Sequence, residues 1–273
     1  MLNLLTEIFS YDFLTRAFLA GALISIVAAL VGVTLVLKKS AMIGDGLSHT
    51  ALSAFTIATA LGFAPLWFSL PVVIITSFVI LKLSTNRKFR GDAWIAVLAA
   101  GSLAIGTLTA SLTTGINVDF TSFLFGSILA VSTQEIILSL IVAIVCILLY
   151  LFSFNRIFAI TFDEEFARSI GIKTNLYSAI FSIICSVIIV LGMRLLGTLL
   201  ISSLLIFPTL TAMQLSRTFR GVVFSSVIIS LLAFAIGFVL SYALNAPTGA
   251  SIVVVNLIFL LFAFISHQLL HKT

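Results

Sequence analysis

Apolar side chains come in long blocks along this chain, broken by short polar stretches. Blocks fall at 14–37, 65–83, 93–114, 134–153, 175–193, 221–243 and 250–268. A helix needs about 20 such residues to cross the bilayer hydrocarbon, so each block predicts a spanning helix. Two further stretches carry polar groups: 43–62 includes Asp45 and His49, and 195–213 includes Pro208 with several Ser and Thr. Counting both gives nine crossings, and eight if 195–213 does not pass fully through. A tenth piece, "FTSFLFGSILAV" at 120–131, is too short to cross and has the length of a re-entrant or partial helix.

Basic residues set the expected orientation. With nine spans and an outer start, Lys38, Lys39, Lys82, Arg87, Lys88, Arg90, Arg156, Arg168, Lys173, Arg217, Arg220 and Lys272 all fall inside, twelve of fourteen. Arg16 and Arg194 are left at or near the outer face. The reverse orientation puts nearly all the positive charge on the wrong side. The N-terminus is therefore expected outside and the C-terminus inside. The outer connections "GFAP", "TTGINVDF" and "NAPTG" read as short turns. The opening "MLNLLTEIFSYDFLTR" has no basic start and carries Glu7 and Asp12, so it reads as an interfacial amphipathic lead-in, not a secretory signal.

Composition agrees. The chain has 273 residues, 61% of them hydrophobic and 8% charged, and its mean hydropathy is +1.31. A soluble domain carries about a quarter charged residues. The net charge of +5 belongs to inner loops, and no basic stripe with interleaved aromatics points to nucleic acid. Cys146 and Cys185 each lie inside an apolar run and read as small hydrophobes. Residues 1–273 form one transmembrane domain, with no soluble domain, long linker or fixed repeat.

Three features carry chemistry. First, "MIGDGLSH" at 42–49 places Asp45 and His49 at i and i+4, on one helix face. Both are ordinary ligands for a borderline divalent ion. A carboxylate in a spanning segment is costly and usually faces the bundle interior or a water-filled path. The alternative is that Asp45 caps the helix near the inner interface and His49 bonds a backbone carbonyl. Second, the inside segment 154–174 is the one large enough to dock a partner, and it contains "FDEEFARSIGI". Asp163 can cap a short helix, Glu164 and Glu165 suit its first turn, Arg168 follows, and Gly171 can end it. An ordinary loop helix is the plain reading; a helix gripped by an ATPase is the functional one. The spacing Glu165-x-Ala167-x-x-x-Gly171 resembles the EAA-type loop of bacterial ABC importer permeases, with Phe166 where a second Ala is usual. Third, Pro208 removes a backbone bond and is expected to bend its helix, which in a transporter can line the path.

Four stretches together resemble one family, the ABC-3 type metal permeases of bacterial zinc and manganese uptake. They are "VLKKSAMIGDGLSHTALSAF" (36–55), "TSFLFGSILAVS" (121–132), "FDEEFARSIGI" (162–172) and "LGTLLISSLLIFPTLTAMQLSR" (196–217). The resemblance implies an all-α polytopic bundle of the type II, vitamin-B12-importer-like class. It implies a homodimer, two cytoplasmic ATP-binding subunits, an extracytoplasmic metal-binding protein, and import of Zn2+ or Mn2+ with no permanently bound cofactor. In a two-fold dimer, Asp45 and His49 from each chain would offer four N/O ligands along the metal path. Ser48, Ser202, Ser203 and Pro208 are expected to add lining, although the serines can equally bond back to their own helices. Asp163, Glu164, Glu165, Ala167, Arg168 and Gly171 are expected to form the ATPase-coupling segment.

The chain contains no G-x-x-x-x-G-K-[ST] phosphate loop, so ATP hydrolysis falls to another chain, and it is not expected to be an enzyme. A gradient-driven carrier would show a mirrored second half, which is not seen. An intramembrane metalloprotease would show H-E-x-x-H, also not seen. Arg194 reads as snorkelling or paired with an acid such as Asp119, and Asn117 and Asp119 as outer-turn residues. Glu135 marks a span start. His267 and His271 read as an interfacial tail pair, with zinc binding the alternative. Gly21, Ala22, Gly101, Ala104 and Gly106 are expected to allow close helix packing.

Overall fold

The computed structural model describes residues 10–84, 91–113, 124–126 and 133–270, and the secondary structure assigned there is helical. The helices are α1 (Asp12–Leu37), α2 (Met42–Ala60), α3 (Pro65–Ser84), α4 (Gly91–Leu112), α5 (Thr133–Phe162), α6 (Glu164–Ser169), α7 (Thr174–Leu196), α8 (Thr198–Leu215), α9 (Phe219–Leu244) and α10 (Thr248–Leu270). The N-terminal lead-in before residue 10, most of 120–131, Asn117, Asp119, Arg87, Lys88, Arg90, His271 and Lys272 lie outside the described residues.

Every apolar block is a helix, but two expectations are corrected. Among the described residues, seven helices are long and apolar enough to cross a membrane: α1, α4, α5, α7, α8, α9 and α10. The count of eight or nine is too high on that measure. The 195–213 stretch qualifies, as α8. The described apolar part of α3, Pro65–Ile80, is shorter than that measure asks, and α2 is too polar. Packing holds α2 in place instead, with Leu47, Ala51 and Leu52 buried and α3, α4 and α8 against it. Secondly, α5 continues past residue 153 to Phe162, so the connection between α5 and α7 is 163–173. Arg156 does not end the helix. Its guanidinium donates to the Tyr177 hydroxyl and sits 5.5 Å from that ring.

The core sits around α1 and α8. α1 is apolar all round and buried along most of its length. α8 packs against α1, α2, α7, α9 and α10, and Leu200, Ile201, Leu204 and Leu205 are fully enclosed. α4, α5 and α10 instead turn large apolar side chains outward, among them Val97, Leu108, Phe152 and Phe262. Water would penalise such a surface, whereas lipid is its natural solvent.

Two contacts fix depth. Gly21 of α1 sits against Leu196, at the α7–α8 junction, and Gly32 sits against the Leu205 carbonyl. α1 and α8 therefore run the same way. The junction lies level with Gly21, nine residues in from Asp12, which is about 13 Å at 1.5 Å per residue. There the chain breaks at Gly197 (φ 91°) against Gly126 (φ 80°), with a Cβ on Gly197 only 2.4 Å from the Gly126 nitrogen. Glycine alone permits that approach in the left-handed region. Of the expected small-residue contacts, Gly106 packs on the Ser53 backbone, but Gly101 faces open space.

Candidate functional site

A tight hook places the Asp45–His49 face. After Leu37 the chain reverses through Lys39, at φ 56°. The Ser40 amide donates to Leu35 O at 2.8 Å, and the Ile43 amide to Ser40 O at 3.1 Å. α2 therefore starts beside α1, not beyond it, and both Gly32 and Gly44 lie against Leu205. Asp45 thus sits level with Gly32, five residues above the end of α1, about 8 Å in. His49 lies one turn deeper. The N-cap of α2 is Ala41, with no side-chain cap bond, so Asp45 does not serve as a cap.

His49 Nε2 lies 3.6 Å from Asp45 Oδ1, with side-chain exposures of 15% and 36%. That separation is too long for a hydrogen bond. His49 Nδ1 is buried without a hydrogen-bond partner, so it does not bond a carbonyl as the alternative reading required. α8 supplies the next group: Ser202 Oγ lies 3.3 Å from Asp45 Oδ1, 3.3 Å from Ser48 Oγ and 3.1 Å from Thr198 O. One hydroxyl has one hydrogen, so Ser202 donates to one of these at a time. Ser48 is engaged with Asp45 O at 2.8 Å, and Ser203 with Leu200 O at 2.9 Å. The back-bonding weighed as the alternative occurs, and Ser202 also reaches the acid.

Asp45 opens onto a cavity of about 410 Å³ between α2, α8, α10 and the 124–126 segment. Asp45, Ser202 and Ser203 are its polar lining; Met42, Phe125, Leu199, Phe207 and Val254 are part of its apolar wall. Pro208 is buried in α8, outside that wall, and α8 runs unbroken through it. Among the described residues no three His, Cys, Asp or Glu side chains gather as a metal-binding group. One chain therefore brings together two strong donors and a hydroxyl.

The second site is α6. Asp163 caps it, accepting from the Phe166 amide at 2.8 Å. Gly171 ends it at φ 87°. Ile172 N bonds Ala167 O at 3.0 Å and Gly171 N bonds Arg168 O at 3.1 Å, a Schellman ending. Ala167 is fully buried against the bundle. Glu164 sits between Lys38 (3.7 Å) and Arg168 (3.6 Å). Asp163→Ala should weaken α6 by about 1 kcal/mol, so amide exchange across residues 164–170 should quicken roughly fivefold.

The profile of the ABC 3 transport family matches residues 10–267. The chain belongs to that family. Relatives run nearly its whole length. A probable metal transport system membrane protein of Treponema pallidum is 32% identical over 92% of this chain and 94% of its own. The high-affinity zinc uptake system membrane protein ZnuB of Haemophilus influenzae is 30% identical over 89% and 94%. The manganese import system permease protein ScaB of Streptococcus gordonii is 28% identical over 94% and 92%. Among solved structures, PsaBC from Streptococcus pneumoniae in complex with Fab superposes with a TM-score of 0.84 at 25% identity, covering 96% of this chain and 94% of that one.

In this ABC 3 family permease, the Arg194 guanidinium lies 4.7 Å over the Phe55 ring, tying α7 to α2. His267 sits in the last turn of α10. Cys146 and Cys185 are free and buried in the core, as read from their apolar runs. Sequence reasoning missed three participants. Met42 shares the face of Asp45 at i+3, a signal that was present. Phe125 reaches the cavity through a contact between distant segments, and the Lys38–Glu164 pair spans 126 positions. No local pattern marks either.

Proposed function

We propose that this chain is the membrane permease of an ATP-driven importer of a divalent transition metal, zinc or manganese, with Asp45 and His49 as donors on the ion path. The observation that carries the reading is an acid and an imidazole 3.6 Å apart inside a spanning bundle, beside an open cavity. Two donors about 2.1 Å from one tetrahedral zinc lie about 3.4 Å apart, so little movement brings both onto one ion. A largely apolar cavity with Asp45, Ser202 and Ser203 on its wall, open to the outside of a single chain, suits a second copy, whose own pair would complete a four-donor set. Two donors per chain also hold an ion weakly enough to release it, leaving tight capture to an extracytoplasmic binding protein. α6, capped at both ends and seated by Ala167, suits the cleft of a cytoplasmic ATP-binding subunit, one per chain. The lysine and arginine distribution supports an outer N-terminus and inner C-terminus.

The relatives' names cover more than one metal, and an Asp–His donor pair accepts zinc, manganese and iron alike. A deletion strain starved of zinc or of manganese in turn identifies the cargo, by which ion restores growth through the reintroduced gene. Uptake should stop when the phosphate-loop lysine of the ATP-binding subunit is replaced. Uptake that survives this change, but collapses with the proton or sodium gradient, would establish a secondary carrier instead.

A further inference from the structure

We propose that Lys38 is a positioning residue through which movement of α6 reaches the Asp45–His49 pair. The inference rests on the reading of α6 as the ATPase dock.

Three observations converge. Glu164 is held from two sides: Lys38 Nζ lies 3.7 Å from Oε2 and Arg168 Nη2 3.6 Å from Oε1. Arg168 in turn reaches Thr174 Oγ1 at 3.4 Å, at the start of α7. A displacement of α6 therefore acts on the α1–α2 hook through Lys38, while its other side is tied to α7. The hook itself is stiff. Ser40 bonds Leu35 O through its amide and Lys38 O through its hydroxyl, and the amides of Ile43 and Gly44 bond back to Ser40 and Ala41. Such a segment transmits a pull at one end to the other with little slack. Only seven positions separate Lys38 from Asp45, and the last four of them are already in α2. Thirdly, Lys38 is not a freely solvated surface lysine. Its side chain is 27% exposed and borders a pocket beside Ser40, Thr161 and Tyr177. Burial lowers its pKa overall, and the Glu164 carboxylate raises it only part of the way back. A half-buried ammonium stays where its counter-charge is, so it follows Glu164.

The test uses proteoliposomes holding the permease with its ATP-binding subunits and the external binding protein. Zinc or manganese is supplied alone, and ATP hydrolysis and ion accumulation are read in the same vesicles. Lys38→Met keeps the stem and removes the charge. It should lower ions moved per ATP on the order of tenfold with hydrolysis unchanged, and Lys38→Arg, which keeps the charge, should retain most of the wild-type ratio. Equal losses of hydrolysis and uptake in Lys38→Met would mark a merely structural lysine and overturn the inference. So would unchanged ions per ATP, or a Lys38→Arg variant that hydrolyses ATP but transports no better than Lys38→Met. Wild-type vesicles that accumulate neither ion would overturn the importer reading itself, and this inference with it.

Discussion

Asp45→Asn is expected to stop metal uptake while the protein still folds and reaches the membrane. The amide keeps the shape of the side chain but removes the charge that attracts a divalent ion. Outer-shell partners of metal ligands are worth about 10- to 100-fold, so loss of a donor itself should lower uptake by roughly 100-fold or more. His49→Gln should do the same if, as proposed, its imidazole is the second donor on that face. Neither change should cost much stability. The Asp45 side chain is 36% exposed, toward the cavity, and His49 Nδ1 has no hydrogen bond to lose. The double variant should be no worse than either single one, since two donors to one ion act as a unit. Ser202→Ala should fall well short of both, because its hydroxyl also has Thr198 O as a partner at 3.1 Å. The measurement is radiolabelled ion uptake, normalised to permease in the membrane fraction. Normal uptake by both Asp45→Asn and His49→Gln would end the assignment of the path.

Among the described glycines, Gly32→Ala should be the most damaging added methyl. A Cβ there would lie 1.9 Å from Leu205 O, 2.8 Å from its carbonyl carbon and 3.0 Å from its Cα. All three are backbone atoms, so no rotamer change relieves the clash; α1 and α8 must separate. Ordinary overpacking costs about 1–3 kcal/mol, and this contact should reach or exceed the upper end. At about 2–4 °C per kcal/mol for a chain of this size, the melting temperature in detergent should fall by about 10 °C. Transport should fall as well, since Leu205 lies one turn from Ser202 and also meets Gly44 beside Asp45. Gly101→Ala is the matched control. Nothing lies within 4 Å of the added methyl, and an alanine inside a helix is favoured over glycine by about 0.5–1 kcal/mol. A melting temperature for Gly32→Ala within a degree or two of wild type would show that the two helices are not in the close contact described.

The parts of the site that could be read in advance are those whose causes lie within one or two turns of chain. The length of α6 follows from Asp163 at one end and Gly171 at the other, because caps are local hydrogen-bond and dihedral devices. The helix α5 runs beyond its apolar block for the complementary reason. Asn155 and Arg156 resemble a loop start, but Tyr177, 21 positions away, answers the arginine. Pro208 was expected to bend its helix; α8 continues through it, packed by several other helices, which can stabilise a helix that has lost one backbone bond. Gly101 and Gly106 look alike in sequence, and only the position of α2 distinguishes the one that packs from the one that does not.

The sequence by itself determined the helices, their apolar faces and the pairing of Asp45 with His49. Lipid demands about 20 apolar residues per crossing, and the i, i+4 relation is a property of the α-helix wherever it lies. Only the tertiary structure decided how deep that pair sits, which hydroxyl meets it and which lysine is tied to α6. Those depend on where two backbones approach, at Gly32, Gly44 and Leu205, and on charges 126 positions apart. Close packing between segments so distant follows from the whole arrangement of helices, and no stretch of sequence contains it.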